Sequence, residues 1–186
     1  MTIGVLAIQG DYEAHGRVLE GLGATVSYVR KPEQLDSVDA LVIPGGESTT
    51  FLKFLEQKGF FEKLGQFVKT KPALGTCAGA ILLAKEVEGP SQASLGALDI
   101  CIRRNAYGRQ LESSIRQGET KLGGGPMEMV FIRAPKIEKV GKEVEVLASE
   151  NGDPVLVRQG KIMAATFHPE LSGDIRVHQA FLQLVK

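Results

Sequence analysis

The chain has 186 residues, 43% of them hydrophobic and 24% charged, and its 22 basic and 22 acidic side chains balance to zero. That composition argues against disorder. The balanced charge supplies no bulk attraction to nucleic acid or to a membrane surface, so neither is expected as a partner. Its two cysteines, Cys77 and Cys101, form neither a disulfide framework nor a metal-ligand spacing. No leader pattern and no bilayer-length apolar run is visible. One domain spanning residues 1–186, in the cytoplasm, is the expectation.

The N-terminal half alternates strand and helix. Thr2–Ile8 reads as a buried strand, followed by a helix over Asp11–Leu22 with Asp11 as cap and Gly23 as stop. Thr25–Val29 and Ala40–Ile43 are strands, the second ending at Pro44-Gly45-Gly46. Helices follow over Ser48–Leu55 and Phe60–Val68, split by Gly59, and then the short strand Pro72–Leu74. Continuously apolar strands alternating with helices imply a parallel sheet covered on both faces. Binding sites of such sheets lie beyond the carboxyl ends of the strands.

At one such end stands Gly75-Thr76-Cys77-Ala78-Gly79, followed by the apolar, helix-like run Ala80–Ala84. A strand, a sharp turn and a helix with a nucleophile at the apex is the cysteine form of the nucleophile elbow. Flanking glycines suit a strained turn with no room for side chains, and a helix start favours negative charge on the sulfur. The competing reading is a small buried core cysteine.

The second half has short strands and little helix: Leu98–Arg103, Met127–Arg133, Val144–Ala148, Val155–Val157 and Lys161–Phe167, with a loop at Gly123–Gly125. A closing amphipathic helix over Asp174–Val185 offers Ile175, Ala180, Phe181, Leu184 and Val185 to the core. The expected architecture is α/β: three layers, a mixed, mostly parallel sheet flanked by helices, with an antiparallel excursion.

His168-Pro169-Glu170 follows the last strand. In an extended segment residues two apart share a side, and Pro169 biases His168 toward that conformation. A thiol nucleophile needs a base, and the base needs a carboxylate to hold its tautomer. Cys77, His168 and Glu170 supply this set. Upstream, Pro44-Gly45-Gly46-Glu47-Ser48-Thr49-Thr50 ends a strand and opens a helix, so its free N–H groups suit an oxyanion, with Gly46 and Ala78 as donors. A phosphate loop fits poorly, because the glycine spacing is wrong and no lysine follows. A plain turn with Ser48 as N-cap is compatible with the oxyanion reading.

In that order, a P-G-G turn, a G-x-C-x-G elbow and H-P-E resemble the class I glutamine amidotransferase (triad glutaminase) family, over nearly the whole chain. More narrowly, Pro44–Thr50, Gly75–Gly79, Arg104-Asn105-Ala106-Tyr107-Gly108-Arg109-Gln110 and Phe131-Ile132-Arg133-Ala134-Pro135 are similar to the glutaminase subunits of pyridoxal 5′-phosphate synthases. The resemblance implies a flavodoxin-like fold and hydrolysis of L-glutamine through a γ-glutamyl thioester. It implies that Gly46, Glu47, Ser48, Arg104, Ile132 and Arg133 hold glutamine, and that no metal or organic cofactor is needed. It also implies a hetero-oligomer with a barrel-type synthase subunit, which combines the ammonia with ribose 5-phosphate (or ribulose 5-phosphate) and glyceraldehyde 3-phosphate.

Glutamine's α-carboxylate calls for an arginine. Arg103 and Arg109 are candidates beside Arg104, and Glu47 either meets the ammonium or shapes the oxyanion turn. Cys101 reads as core, and His15 and His178 as surface or satisfied-core residues. Ala80 is smaller than the bulky residue that family glutaminases often carry after the elbow. The rivals are another triad hydrolase, such as a γ-glutamyl peptidase, and a binding subunit that keeps the scaffold without turnover.

Overall fold

The computed structural model describes residues 1–105 and 113–185. Five strands run parallel: β1 (Thr2–Leu6), β2 (Thr25–Val29), β3 (Ala40–Ile43), β4 (Ala73–Thr76) and, from the far end of the chain, β12 (Ile162–Ala165). Between β4 and β12 in sequence lie β5 (Ala84–Glu88), β6 (Leu98–Arg103), β7 (Ser114–Thr120), β8 (Met127–Phe131), β9 (Lys136–Val140), β10 (Glu145–Glu150) and β11 (Asp153–Gln159). Among the described residues the main sheet is nine-stranded, ordered β2-β1-β3-β4-β12-β11-β10-β7-β8, and antiparallel from β12 outward. β5, β6 and β9 form a separate three-stranded sheet.

The order β2-β1-β3-β4 is doubly wound, with its switch point between β1 and β3. Both faces of β1, β3 and β4 are covered, which is why they read as apolar runs, whereas the edge strand β2 is covered only in part. Leu41, Ile43 and Ala73 point into one core with Phe51 and Leu55 of α2 (Ser48–Gln57), Phe60 and Leu64 of α3 (Phe60–Thr70) and Ile81 of α4 (Ala78–Leu83). Val42, Leu74 and Met163 point the other way, toward Leu19 of α1 (Tyr12–Gly21) and Val177 and Phe181 of α5 (Arg176–Gln183). Each of these large side chains adds about 1.5–3 kcal/mol when fully buried. The small sheet joins the first core through Ile100, Ile102 and Ile137.

Three strands lie outside the expected set. β7 and β9 alternate buried and charged positions weakly, and β5 begins at Ala84, the last residue of the expected helix. Of the expected core positions of the closing helix, Phe181 is buried and Ala180, Leu184 and Val185 pack against the core, but Ile175 is 40% exposed; Val177 and Leu182 are buried as well. Asp11 occupies the cap position of α1, but its side chain makes no capping hydrogen bond. Among the described residues no helix is long and apolar enough to cross a membrane.

Candidate active site

The carboxyl ends of β1, β3, β4 and β12 converge on one cavity of about 520 Å³, lined by Gly10, Asp11, Gly46, Glu47, Ser48, Cys77, Arg104, Ile132, Arg133 and His168 among others. That volume suits a small-molecule ligand.

Cys77 sits between β4 and α4 with φ 48° and ψ −105°. A side-chain-bearing residue held there is strained, by about 1–3 kcal/mol. The turn closes because its neighbours lack side chains. A Cβ on Gly79 would lie 2.0 Å from the Ile43 carbonyl oxygen, and one on Gly75 would lie 2.5 Å from the Gly79 backbone. The Cys77 amide donates to Ala165 O at 2.9 Å, tying the nucleophile to β12. Its Sγ lies 3.9 Å from Ile132 O.

His168 follows β12, and its amide donates to Val130 O of β8 at 2.8 Å. An extended segment was expected through Glu170. Instead Pro169–Leu171 forms a 3-10 turn, with Pro169 at its first position, where a missing N–H costs nothing. The turn still sets His168 Nδ1 2.7 Å from Glu170 Oε1, and both residues are buried, at 6% exposure. Burial alone would lower the His168 pKa. Hydrogen bonds to the Cys77 sulfur and to Glu170, reinforced by the charges of both, outweigh it and raise the value to about 10. These contacts favour the imidazolium form of the ring.

The turn after β3 faces the same space. A Cβ on Gly45 would stand 2.7 Å from His168 Cε1 and 3.1 Å from Cys77 Cβ, so the imidazole rests against bare backbone. Gly46 has φ 134°, and its missing side chain leaves room for the amide of Gln9, 2.5 Å from where a Cβ would be. Gln9 Nε2 donates to Glu47 O at 3.3 Å. The cap of α2 is Glu47 rather than Ser48: its two carboxylate oxygens accept from Thr49 N at 2.9 Å and Thr50 N at 2.7 Å. Hydrogen bonds with Thr50 and Thr49 hold the Glu47 pKa down at about 2. Glu47 thus shapes the turn, and Ser48 is buried at the cavity wall.

Of the arginines, Arg104 reaches the cavity, where its Nη2 donates to Thr49 Oγ1 at 2.7 Å. Arg103 points elsewhere, into ion pairs with Glu88 at 3.3 Å and Glu138 at 3.1 Å. Arg103 is the last residue of β6 and Arg104 the first of the turn that follows. Arg109 and the rest of Ala106–Gln110 lie outside the described residues. Ile132 and Arg133 follow β8, Arg133 with φ 45°. Cys101 is buried in β6, away from the cavity lining. Sequence reasoning passed over Gln9 and Thr49, although Gln9 lies in the loop beyond the carboxyl end of a core strand, where sites of this architecture collect. It also passed over Asp11 as a cavity residue; its carboxylate lies within 4.8 Å of ligand atoms on His168 and Glu170.

Residues 5–186 match the model of the SNO glutamine amidotransferase family. A Koribacter versatilis protein named pyridoxal 5′-phosphate synthase subunit PdxT is 66% identical over 186 residues, covering 100% of this chain and 96% of its own. A Thermosipho africanus protein of the same name is 52% identical over 187 residues, covering 100% of both chains. A glutamine amidotransferase crystal structure superposes with a TM-score of 0.91 at 47% identity, over 98% of each chain. PurLQS from Thermotoga maritima superposes with a TM-score of 0.73 at 16% identity over 100% of this chain and 98% of that one, a likeness that concerns fold alone. An elbow cysteine, a buried His–Glu pair and a P-G-G turn around one cavity thus meet close sequence kinship, and this chain belongs to the SNO glutamine amidotransferase family.

Proposed function

We propose that this chain, a single amidotransferase domain, hydrolyses L-glutamine to L-glutamate and ammonia and passes the ammonia to a synthase subunit making pyridoxal 5′-phosphate. The observation that carries this reading is the Cys77 elbow facing the His168–Glu170 pair in one cavity, within a chain of this family. Cys77 Sγ, giving up its proton to His168, attacks the side-chain amide carbon of glutamine. The carbonyl oxygen becomes an oxyanion, met by the amides of Gly46 and Ala78; losing one such donor typically costs about 10²–10³ in turnover. When the tetrahedral intermediate collapses the C–N bond breaks, the His168 imidazolium protonates the leaving nitrogen, and a γ-glutamyl thioester remains. His168, now neutral, takes a proton from water, which attacks the thioester carbon. The C–S bond breaks, glutamate leaves, and the sulfur–imidazolium pair is restored. Glu170 holds the ring throughout.

Arg104, already fixed by Thr49, offers its planar fork to the α-carboxylate of glutamine, while Gly46, Glu47, Ser48, Ile132 and Arg133 form the walls. The partner is a barrel-type synthase subunit in a hetero-oligomer; the names of the relatives support a subunit role. Ammonia release from glutamine, measured with and without the synthase subunit, tests both parts. Turnover should rise on adding the synthase. Cys77→Ala should lower it by at least about 10³-fold while leaving the thermal midpoint unchanged. Retained turnover in Cys77→Ala would remove the mechanism, and equal turnover with and without synthase would remove the coupling.

A further inference from the structure

Two buried histidines stand behind the site and have no part in the chemistry just described. His15 on α1 and His178 on α5 are both 0% exposed. His15 Nδ1 lies 2.9 Å from His178 Nε2. The other ring nitrogen of His15, Nε2, lies 3.3 Å from Glu170 Oε2 and 3.3 Å from Thr76 Oγ1, one residue before the nucleophile. Glu170 Oε1 is occupied by His168, and Oε2 is buried with no well-aligned hydrogen bond among the described residues.

Burial, with the neighbouring His178 and His168, holds the His15 pKa well below its ordinary value, and burial lowers that of His178 to about 4. Both rings are neutral near pH 7, so each carries one N–H. Two arrangements satisfy the contact between them. In the first, His15 donates from Nδ1 to His178. Its Nε2 lone pair then faces Glu170, a carboxylate oxygen is left without a donor, and the N–H of His178 Nδ1 is buried unpaired. In the second, His178 donates to His15 Nδ1, and the Nε2–H of His15 is shared between Glu170 Oε2 and Thr76 Oγ1. Only the bare lone pair of His178 Nδ1 goes unmet, which fits its lack of a partner among the described residues. Leaving a buried carboxylate oxygen without a donor is the costlier fault.

We propose that His15 is a positioning residue: its Nε2–H holds the second oxygen of Glu170, so that the first stays on His168. This inference rests on the Cys77–His168–Glu170 reading and lengthens it by one member, drawn from an element at the opposite end of the chain. The groups that face His168 are Cys77 from the elbow, Glu170 from its own turn, Asp11 from the start of α1, and His15. Glu170 is among those that raise the His168 pKa, so freeing Glu170 to rotate away lowers it.

The test assays glutamine turnover in the presence of the synthase subunit for three variants. His15→Phe keeps a ring and removes both nitrogens. His15→Gln places an amide N–H near the position of Nε2. His15→Asn keeps a partner for His178 and ends short of Glu170. His15→Phe should lose about 10–100-fold in kcat, the order of loss when the hydrogen-bonded partners behind metal-binding site residues are removed, with KM within about twofold. The alkaline limb of kcat/KM, where the His168 imidazolium is lost, should move down from about 10. His15→Gln should recover most of the loss. Should His15→Phe fail to fold, His15→Asn against His15→Gln carries the same comparison. A folded His15→Phe with unchanged kcat and alkaline limb overturns the proposal, as does a loss that His15→Gln does not repair. Cys77→Ala in the same assay separates the two readings: full turnover there removes the triad itself, whatever His15 does.

Discussion

The two halves of the molecule meet at the site but are built on different principles. The strands β1, β3 and β4 are buried on both faces and touch helices above and below. The hairpin β7–β8 and the strand β9 each show one face to solvent, with Ile115 68% exposed and charged residues along β9. The first half fixes the nucleophile and the oxyanion turn through close backbone packing. The second half supplies Ile132, Arg133 and the backbone acceptor that holds His168. Rigidity comes from one region, and much of the cavity wall from the other.

That contrast breaks most sharply on stability. Leu74→Ala, in β4 at 0% exposure, should cost about 2–5 kcal/mol in urea unfolding. Ile115→Ala should stay within about 0.5 kcal/mol. Similar losses at both sites would show that the hairpin is as deeply integrated as the parallel core. Next in size, Gly45→Ala pushes a methyl group to within 2.7 Å of the His168 ring, and kcat should fall about 10²-fold with the fold retained. An active Gly45→Ala would mean that the imidazole works from another position.

Smaller effects separate neighbours. Arg104→Ala should raise KM for glutamine about tenfold, the loss of a charge-assisted hydrogen bond. Arg103→Ala should leave KM alone and change stability by less than about 1 kcal/mol, because its ion pairs are exposed. A reversal of these two results would reassign the carboxylate partner. Smallest is the cap of α2. The folded-state pKa of Glu47 lies at about 2, below the ordinary value, so its contribution is complete above about pH 4.3 and disappears as pH falls toward 2. Glu47→Gln should therefore lower stability by about 1 kcal/mol at pH 7, and the difference from wild type should shrink at pH 3. A difference that is constant with pH would deny the cap its charge.

The same contrast explains what could be read in the sequence. Thr25–Val29, Ala40–Ile43 and Leu98–Arg103 are legible to the residue: Ala40–Ile43 because a strand buried on both faces leaves an uninterrupted apolar run, the other two because β-branched and aromatic residues crowd a short segment. Ser114–Thr120, with its Arg116, Gln117 and Glu119, carries no such run; its partners β8 and β10 make it a strand. At the site, Cys77, His168 and Glu170 could be named because turn chemistry and residue type point at them. The cap played by Glu47 was open, because a carboxylate beside a serine at a helix start serves either role until coordinates assign the bonds. His15 looked like an ordinary helical residue. Its neighbours come from β4, from the turn after β12 and from α5, so no local pattern contains them.

One four-residue stretch works as a ruler. The Val130 carbonyl holds the backbone of His168, the Ile132 carbonyl lies against the sulfur of Cys77, and Arg133 borders the cavity. Covalent geometry ties these points together, with successive Cα atoms about 3.8 Å apart. Any pull on this segment from outside shifts base, nucleophile and substrate wall in step, so a binding event on the adjoining hairpin has a mechanical route to all three at once.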